Sequence, residues 1–278
     1  MNDEELIEKI NNYYLYLDDK YLKEPCQDLL KIQNLNIFFE KYFKDEYQAF
    51  TSFIIDSVRH SHSYRESIIK KFEDDKIYLF FEKHLYDSSV DIRRNSLIIL
   101  CDTLNIHRKN CKKVLEEYFF QVLKNDPLLM YDYISEFLWL YAYDSKMKNK
   151  LFSNIFNEND FITNICLLEY LESFSTPLLS KTGLKKYSLL KKMQKNKNSF
   201  VSEYAENIKK RMQNRKCDIP NQKYITQNAR NEFWNKLAIN NKTEYSADEY
   251  KTFIVEYINK NHITHIRPQL VNKNPQKK

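Results

Sequence analysis

The 278-residue chain carries 44 Lys and Arg against 38 Asp and Glu, is 42% hydrophobic, and contains six prolines but a single glycine, Gly183. Average glycine usage is about 7%, and hairpin turns, dinucleotide-binding loops and phosphate loops need glycine at positive φ or at close backbone approach. The composition therefore argues against those folds and for an all-α chain with enough apolar residues for a core.

No apolar run reaches the roughly 18 residues of a membrane span, so no membrane partner is expected. The opening Met1-Asn2-Asp3-Glu4-Glu5 lacks the basic-then-apolar order of a signal peptide. Cys26, Cys101, Cys111, Cys166 and Cys217 are widely spaced with no C-x-x-C pair. They read as reduced thiols, which sets the expectation of a cytoplasmic protein.

Along the chain the apolar residues recur with a period near 3.6, and about a dozen helices are expected. The first distinctive segment is Asp87-Ser88-Ser89-Val90-Asp91-Ile92-Arg93-Arg94-Asn95-Ser96-Leu97-Ile98-Ile99-Leu100. It resembles the start of the second helix of a HEAT repeat: an Asp, a short polar stretch, an apolar residue before an Arg, then a small residue and a Leu at helical spacing. Ile92, Arg93, Ser96 and Leu100 take those places. Physically, the Asp can tie a turn, the Arg can reach a neighbouring repeat's Asp or carbonyls, and the small residue lets a paired helix approach. The resemblance implies stacked antiparallel helical hairpins in a HEAT-like α-solenoid. An irregular helical bundle is the alternative.

Val114, Leu115, Tyr118, Phe119, Val122 and Leu123 form a helical stripe, as do Ile134, Phe137, Leu138 and Tyr141, and Leu151, Phe152, Ile155 and Phe156. Asp126-Pro127 and Thr176-Pro177 each put a capping side chain before a proline at the first helical position, and Ser145 and Asp160 are further cap candidates. A weaker echo of the Asp87–Leu100 motif runs over 196–212. Val201 and Ala205 keep the apolar and small positions, Ser202 replaces the Arg and Lys209 the Leu. Residues 217–227 read as a connector, followed by helices near 228–239 and 247–260. Ser246 with Glu249 forms a capping box before the Tyr250, Phe253, Ile254, Tyr257, Ile258 stripe. The expected organisation is an array over 1–216, a helical cap over 217–260 and an extended tail over 261–278.

The charge is uneven. Residues 1–180 hold 22 Lys and Arg against 30 Asp and Glu, whereas 181–278 hold 22 against 8. Within 181–216 the basic residues Lys181, Lys185, Lys186, Lys191, Lys192, Lys195, Lys197, Lys209, Lys210, Arg211, Arg215 and Lys216 face only Glu203 and Glu206, with Tyr187, Phe200 and Tyr204 interleaved. This stretch is the candidate binding site for a partner or a nucleic acid. Its targets are a phosphate backbone, an acidic protein or the chain's own acidic half; a solvated helix face is the plain structural alternative. Lysine favours charge attraction over bidentate base reading.

Catalytic signals are weak. His60-Ser61-His62 does not share a helix face, and His262-x-x-His265 lies where the last helix should fray, so neither pair makes a convincing zinc site. No cofactor is expected, and phosphate-loop, dinucleotide and nucleophile-elbow patterns are missing. Cys101, His107 and Cys111 are close in sequence, but Cys101 continues an apolar run and reads as a buried thiol. Among enzymes, the alkylpurine DNA glycosylases combine HEAT-like helices with a basic surface. They need aromatic residues and an Asp in a cleft, and Trp139 here sits among core residues. The sequence thus points to a non-enzymatic binding module or scaffold, with a protein partner first and nucleic acid second. A toxin-neutralising bacterial immunity protein would be one concrete form.

Overall fold

A computed structural model of the chain describes residues 3–16, 19–44, 47–61, 63–104, 117–118, 122, 126–130, 132–134, 161–173, 186–213 and 225–262. Among them every regular element is helical. The α-helices are α1 (Asp3–Tyr16), α2 (Asp19–Leu29), α3 (Leu35–Tyr42), α4 (Gln48–Arg59), α5 (Arg65–Asp74), α6 (Ile77–His84) and α7 (Val90–Leu104), then α8 (Phe161–Ser173), α9 (Lys186–Met193), α10 (Ser199–Gln213), α11 (Ile225–Ile239) and α12 (Ala247–His262). A short 3-10 helix covers Pro127–Leu129. None of the helices described is long and apolar enough to cross a membrane.

The local signals act mostly as their chemistry requires. Glu249 N–H donates to Ser246 Oγ at 3.1 Å and starts α12, which buries Tyr250, Ile254 and Ile258. Pro127 opens its helix, but Asp126 makes no cap bond to it. The Asp126 carboxylate instead accepts from the Tyr245 hydroxyl, whose oxygen takes the Leu128 N–H at 3.1 Å. α11 begins at Ile225, within the expected connector, because a buried carboxylate from another helix caps its first turn (described below). With almost no glycine, left-handed positions fall to Lys76 (φ 56°) and Asn241 (φ 52°).

The helices form two compact units, Met1–Tyr118 and Phe119–Lys278. In the first, α1 packs on α2 and α4, α4 on α2, α5 and α7, and α6 on α3, α5 and α7. The pairs α1–α4, α4–α7 and α3–α6 are each three helices apart. Each also carries a polar contact between residues 43 apart in sequence. Tyr13 Oη donates to Asp56 at 2.9 Å, Arg59 donates to Asp102, and Lys83 Nζ lies 3.5 Å from Glu40. The core centres on Phe39, whose ring meets Phe50 and Phe81 at 5.4 Å and Phe72 and Phe80 at 5.6 Å, all near edge-on. That geometry suits the aromatic quadrupole.

The second unit packs α8 against α9, α10 and α11, α9 against α10, α11 against α12, and the 3-10 helix against α12. Its core includes Ile165, Leu167, Leu168, Leu171, Leu190, Val201, Ile208, Phe233 and Ile254, all fully buried.

A second repeat, not apparent from the long-helix motif, runs through the first unit. Leu35–Tyr42 and Ile77–His84 share Phe-Phe-Glu-Lys at Phe38–Lys41 and Phe80–Lys83, 42 residues apart. The buried positions Leu35, Phe38, Phe39 and Phe43 match Ile77, Phe80, Phe81 and Leu85. Each short helix is followed by a five-residue link and a longer helix.

Candidate binding surface

α9 and α10 repeat α6 and α7. Moving Ile77–His84 and Val90–Leu104 along by 109 residues gives Lys186–Met193 and Ser199–Gln213, so all four helix ends coincide. The links fold alike. Ser89 N–H donates to Asp87 Oδ1 at 2.9 Å and Asn198 N–H to Asn196 Oδ1 at 2.9 Å. Ile92 N–H then donates to Ser89 Oγ and Val201 N–H to Asn198 Oδ1, both at 3.3 Å. Interior positions correspond as well: Ile92 with Val201, Ser96 with Ala205 and Ile99 with Ile208 are buried in both copies. The small residues Ser96 and Ala205, both fully buried, leave room for a neighbouring helix.

Arg93 and Ser202 occupy one position and do one job. Arg93 Nη1 donates to the carbonyls of Asp87 (2.8 Å) and Ser88 (2.6 Å), and Ser202 Oγ to the carbonyl of Gln194 (2.7 Å). Each side chain ties the long helix back to the link before it. These two Arg93 bonds go to carbonyls of the link in its own helix pair, which lie within reach of the first turn.

The structure places part of the basic stretch. Lys191 and Lys192 lie in the last turn of α9, Lys195 and Lys197 in the link, and all four are exposed. Lys210 is exposed and Lys209 half-buried near the far end of α10, about 17 Å along the helix from Ser199 at 1.5 Å per residue. The lysines therefore form two groups and not one continuous row. Lys186 belongs to α9 and Arg211 to α10, but their side chains, and Lys181, Lys185, Arg215 and Lys216 entirely, lie outside the described residues.

No described carboxylate neutralises Lys191, Lys195, Lys197, Lys209 or Lys210. In the first unit, by contrast, Lys9 and Lys31 both reach Asp28 at 2.8 Å, Lys71 meets Asp75 at 2.9 Å, and Lys83 pairs with Glu40. Lys23, Lys44, Lys70 and Lys76 there also lack partners among the described residues, but each has acidic residues within four positions in sequence. From Ser173 to Ser202 there is no acidic residue at all.

The second unit also holds a buried carboxylate that the sequence pattern does not single out. Glu169 is 1% exposed. Its oxygens accept from the Tyr204 hydroxyl at 3.0 Å, the Thr226 N–H at 3.1 and 3.2 Å, and the Thr226 hydroxyl. Burial pushes its pKa up to about 7, against the opposing hydrogen bonds of Thr226, Tyr204 and Ile225. A negative group at a helix start suits the orphan N–H groups there. Both oxygens are engaged, so Glu169 ties α8 to α10 and α11 and is poorly placed to serve a substrate. Its only sequence signal is an acid inside the apolar run Ile162–Leu171.

Other candidates resolve as structure. Burial pushes the Cys26 thiol up to about 11, only partly offset by its contact to Ser61, which suits an inert thiol. Cys26, Cys101 and Cys166 are buried and free of disulfides; Cys111 and Cys217 lie outside the described residues. His60 is exposed beside Asp56, while His62, His107, His265 and the side chain of His262 lie outside. Among the described residues no group of three or more His, Cys, Asp or Glu could hold a metal ion. Trp234 is half-buried with the Arg230 guanidinium 6.0 Å from its ring, and Trp139 lies outside. The remaining cap candidates Ser145, Asp160 and Thr176-Pro177, the 151–156 stripe and the tail from 263 onward lie outside too. No protein-family model matches the chain, and no curated protein or solved structure shows significant similarity to it.

Proposed function

We propose that the chain is a non-enzymatic binding module built on a helical-repeat array, which recognises one macromolecular partner. The observation that carries this reading is the recurrence of one helix–link–helix unit at offsets of 42 and 109 residues, with matching helix ends and link hydrogen bonds in the 109-residue pair. In the sequence a further Phe-Phe-Gln, Phe119–Gln121, is followed by Asp126 at the spacing that separates Phe38 from Asp45 and Phe80 from Asp87. A period of about 40 residues falls in the range of helical solenoid repeats. Contacts between helices three apart favour three helices per repeat in 1–118, in place of the two-helix hairpin expected from the sequence. Such arrays present extended surfaces for proteins and nucleic acids. The domain reading of an array with a C-terminal cap formed by α11 and α12, and a cytoplasmic setting, belong to this proposal.

A pull-down with the full chain from its native host, split into nuclease-treated and untreated arms, tests it. Near-stoichiometric retention of one protein or of nucleic acid is the expected result. Recovery of neither, with turnover of a small molecule by the purified chain, would overturn it.

A further inference from the structure

The two copies of the helix pair make an internal comparison. The buried Ile92, Ser96 and Ile99 recur as buried Val201, Ala205 and Ile208, while outward positions differ: Glu82, Tyr86 and Ser88 of the first copy correspond to Lys191, Lys195 and Lys197 of the second. The first copy folds with an acid, an aromatic and a hydroxyl at these places, so the fold does not require lysine there. Lys210 stands where the first copy buries Cys101 at 2% exposure. The positive charge is an addition to a shared scaffold, and no described carboxylate offsets it.

The kind of partner follows from what accompanies the lysines. Protein interfaces are enriched in aromatic residues and arginine and depleted in lysine. The two described aromatics nearby are committed elsewhere. Phe200 is 7% exposed, and Tyr204 stacks on it at 5.8 Å while bonding to Glu169. Neither is available to stack on an unpaired base. Among the described residues the lysines have neither an aromatic platform nor a guanidinium fork beside them, and such point charges suit a regular line of phosphates read without base contacts. The distance of about 17 Å between the link and Lys210 spans about five steps of one duplex strand at about 3.4 Å each.

From this we infer that the α9–α10 pair, through Lys191, Lys195, Lys197 and Lys210, is a sequence-independent phosphate-backbone site for double-helical nucleic acid. The inference rests on the binding-module reading and names its partner class, which displaces the protein partner expected from the sequence.

Fluorescence anisotropy of the full chain with a labelled duplex of mixed sequence (about 30 base pairs), its single strand, and poly-L-glutamate as an acidic-protein mimic tests it. With three to four phosphate contacts, raising salt from about 50 to 200 mM should weaken duplex binding roughly 40- to 150-fold. Unrelated duplexes should bind equally. The variant K191E/K195Y/K197S, which installs the first copy's residues, should lose more than tenfold in affinity with unchanged helical circular dichroism. K191R/K195R/K197R should retain it. If the triple swap disturbs folding, K191Q/K195Q/K197Q supplies the same readout. No duplex binding at low salt, or binding that survives these neutralising changes, overturns the inference. Tighter binding to poly-L-glutamate than to duplex also overturns it, but leaves the binding-module reading standing. That reading falls separately, if the pull-down retains nothing and the purified chain turns over a small molecule.

Discussion

Replacing Glu169 with glutamine should remove a specific pH dependence of stability from the second unit. Burial raises the Glu169 pKa from 4.5 to about 7 in the folded chain. Below about pH 4.5 both folded and unfolded states hold the proton, and stability is at its highest with respect to this group. Between 4.5 and 7 the unfolded chain has released the proton and the folded chain has not, so stability falls as pH rises. Above 7 both are ionised and the loss is complete. At about 1.4 kcal/mol per pH unit the total is on the order of 3 kcal/mol. The glutamine side chain of the variant would keep an acceptor for Thr226 N–H without a charge, and the Thr226 and Tyr204 hydroxyls can turn to accept from its amide. Both tryptophans, Trp139 and Trp234, fall within 119–278, so their fluorescence in urea titrations reports on this unit. The difference in unfolding free energy between wild type and Glu169→Gln, measured at each pH so that other groups cancel, should shift by about 3 kcal/mol in favour of the variant from pH 4.5 to 7.5. A difference independent of pH, or one shifting the other way, would refute the reasoning.

Phe39→Ala should destabilise the first unit by about 3–5 kcal/mol, since it empties a fully buried ring site and removes four edge-on ring contacts; a cost below about 1 kcal/mol in chemical denaturation would contradict the Phe39-centred core. Lys76→Gly should stabilise by about 0.5–1 kcal/mol, because glycine relieves the left-handed strain at φ 56° at some cost in unfolded-chain entropy. A lowered melting temperature would show that Lys76 holds something more than the turn. Arg93→Ala should lower stability by about 1 kcal/mol through loss of its two carbonyl bonds, with Ser202→Ala costing less. An unchanged melting curve for Arg93→Ala would mean that the link holds itself without the guanidinium.

The helical class was legible because one glycine and a 3.6 period leave little else, and the capping chemistry at Ser246 needs only local residues. The echo between Ile92 and Val201 was legible because both long helices keep a small residue at the same turn. The 42-residue copy was not, because it is carried by the short helices α3 and α6. The long helix α4 has Phe50, Thr51 and Ile54 where α7 has Ile92, Arg93 and Ser96. Glu169 and Asp126 could not be read locally, since their partners Thr226 and Tyr245 lie 57 and 119 residues away. The basic stretch was visible as charge. Which lysines share a turn, and that the fold can do without them, required the coincidence of α6–α7 with α9–α10.

Amine-labelling footprinting by mass spectrometry, on the full chain with and without mixed-sequence duplex at about 50 mM salt, reads this surface lysine by lysine. Duplex should protect Lys191, Lys195 and Lys197, with Lys210 following, while the exposed first-unit lysines Lys23 and Lys76 keep their reactivity. Protection confined to the first unit, or uniform across both units, would contradict a binding surface built on the second copy of the helix pair.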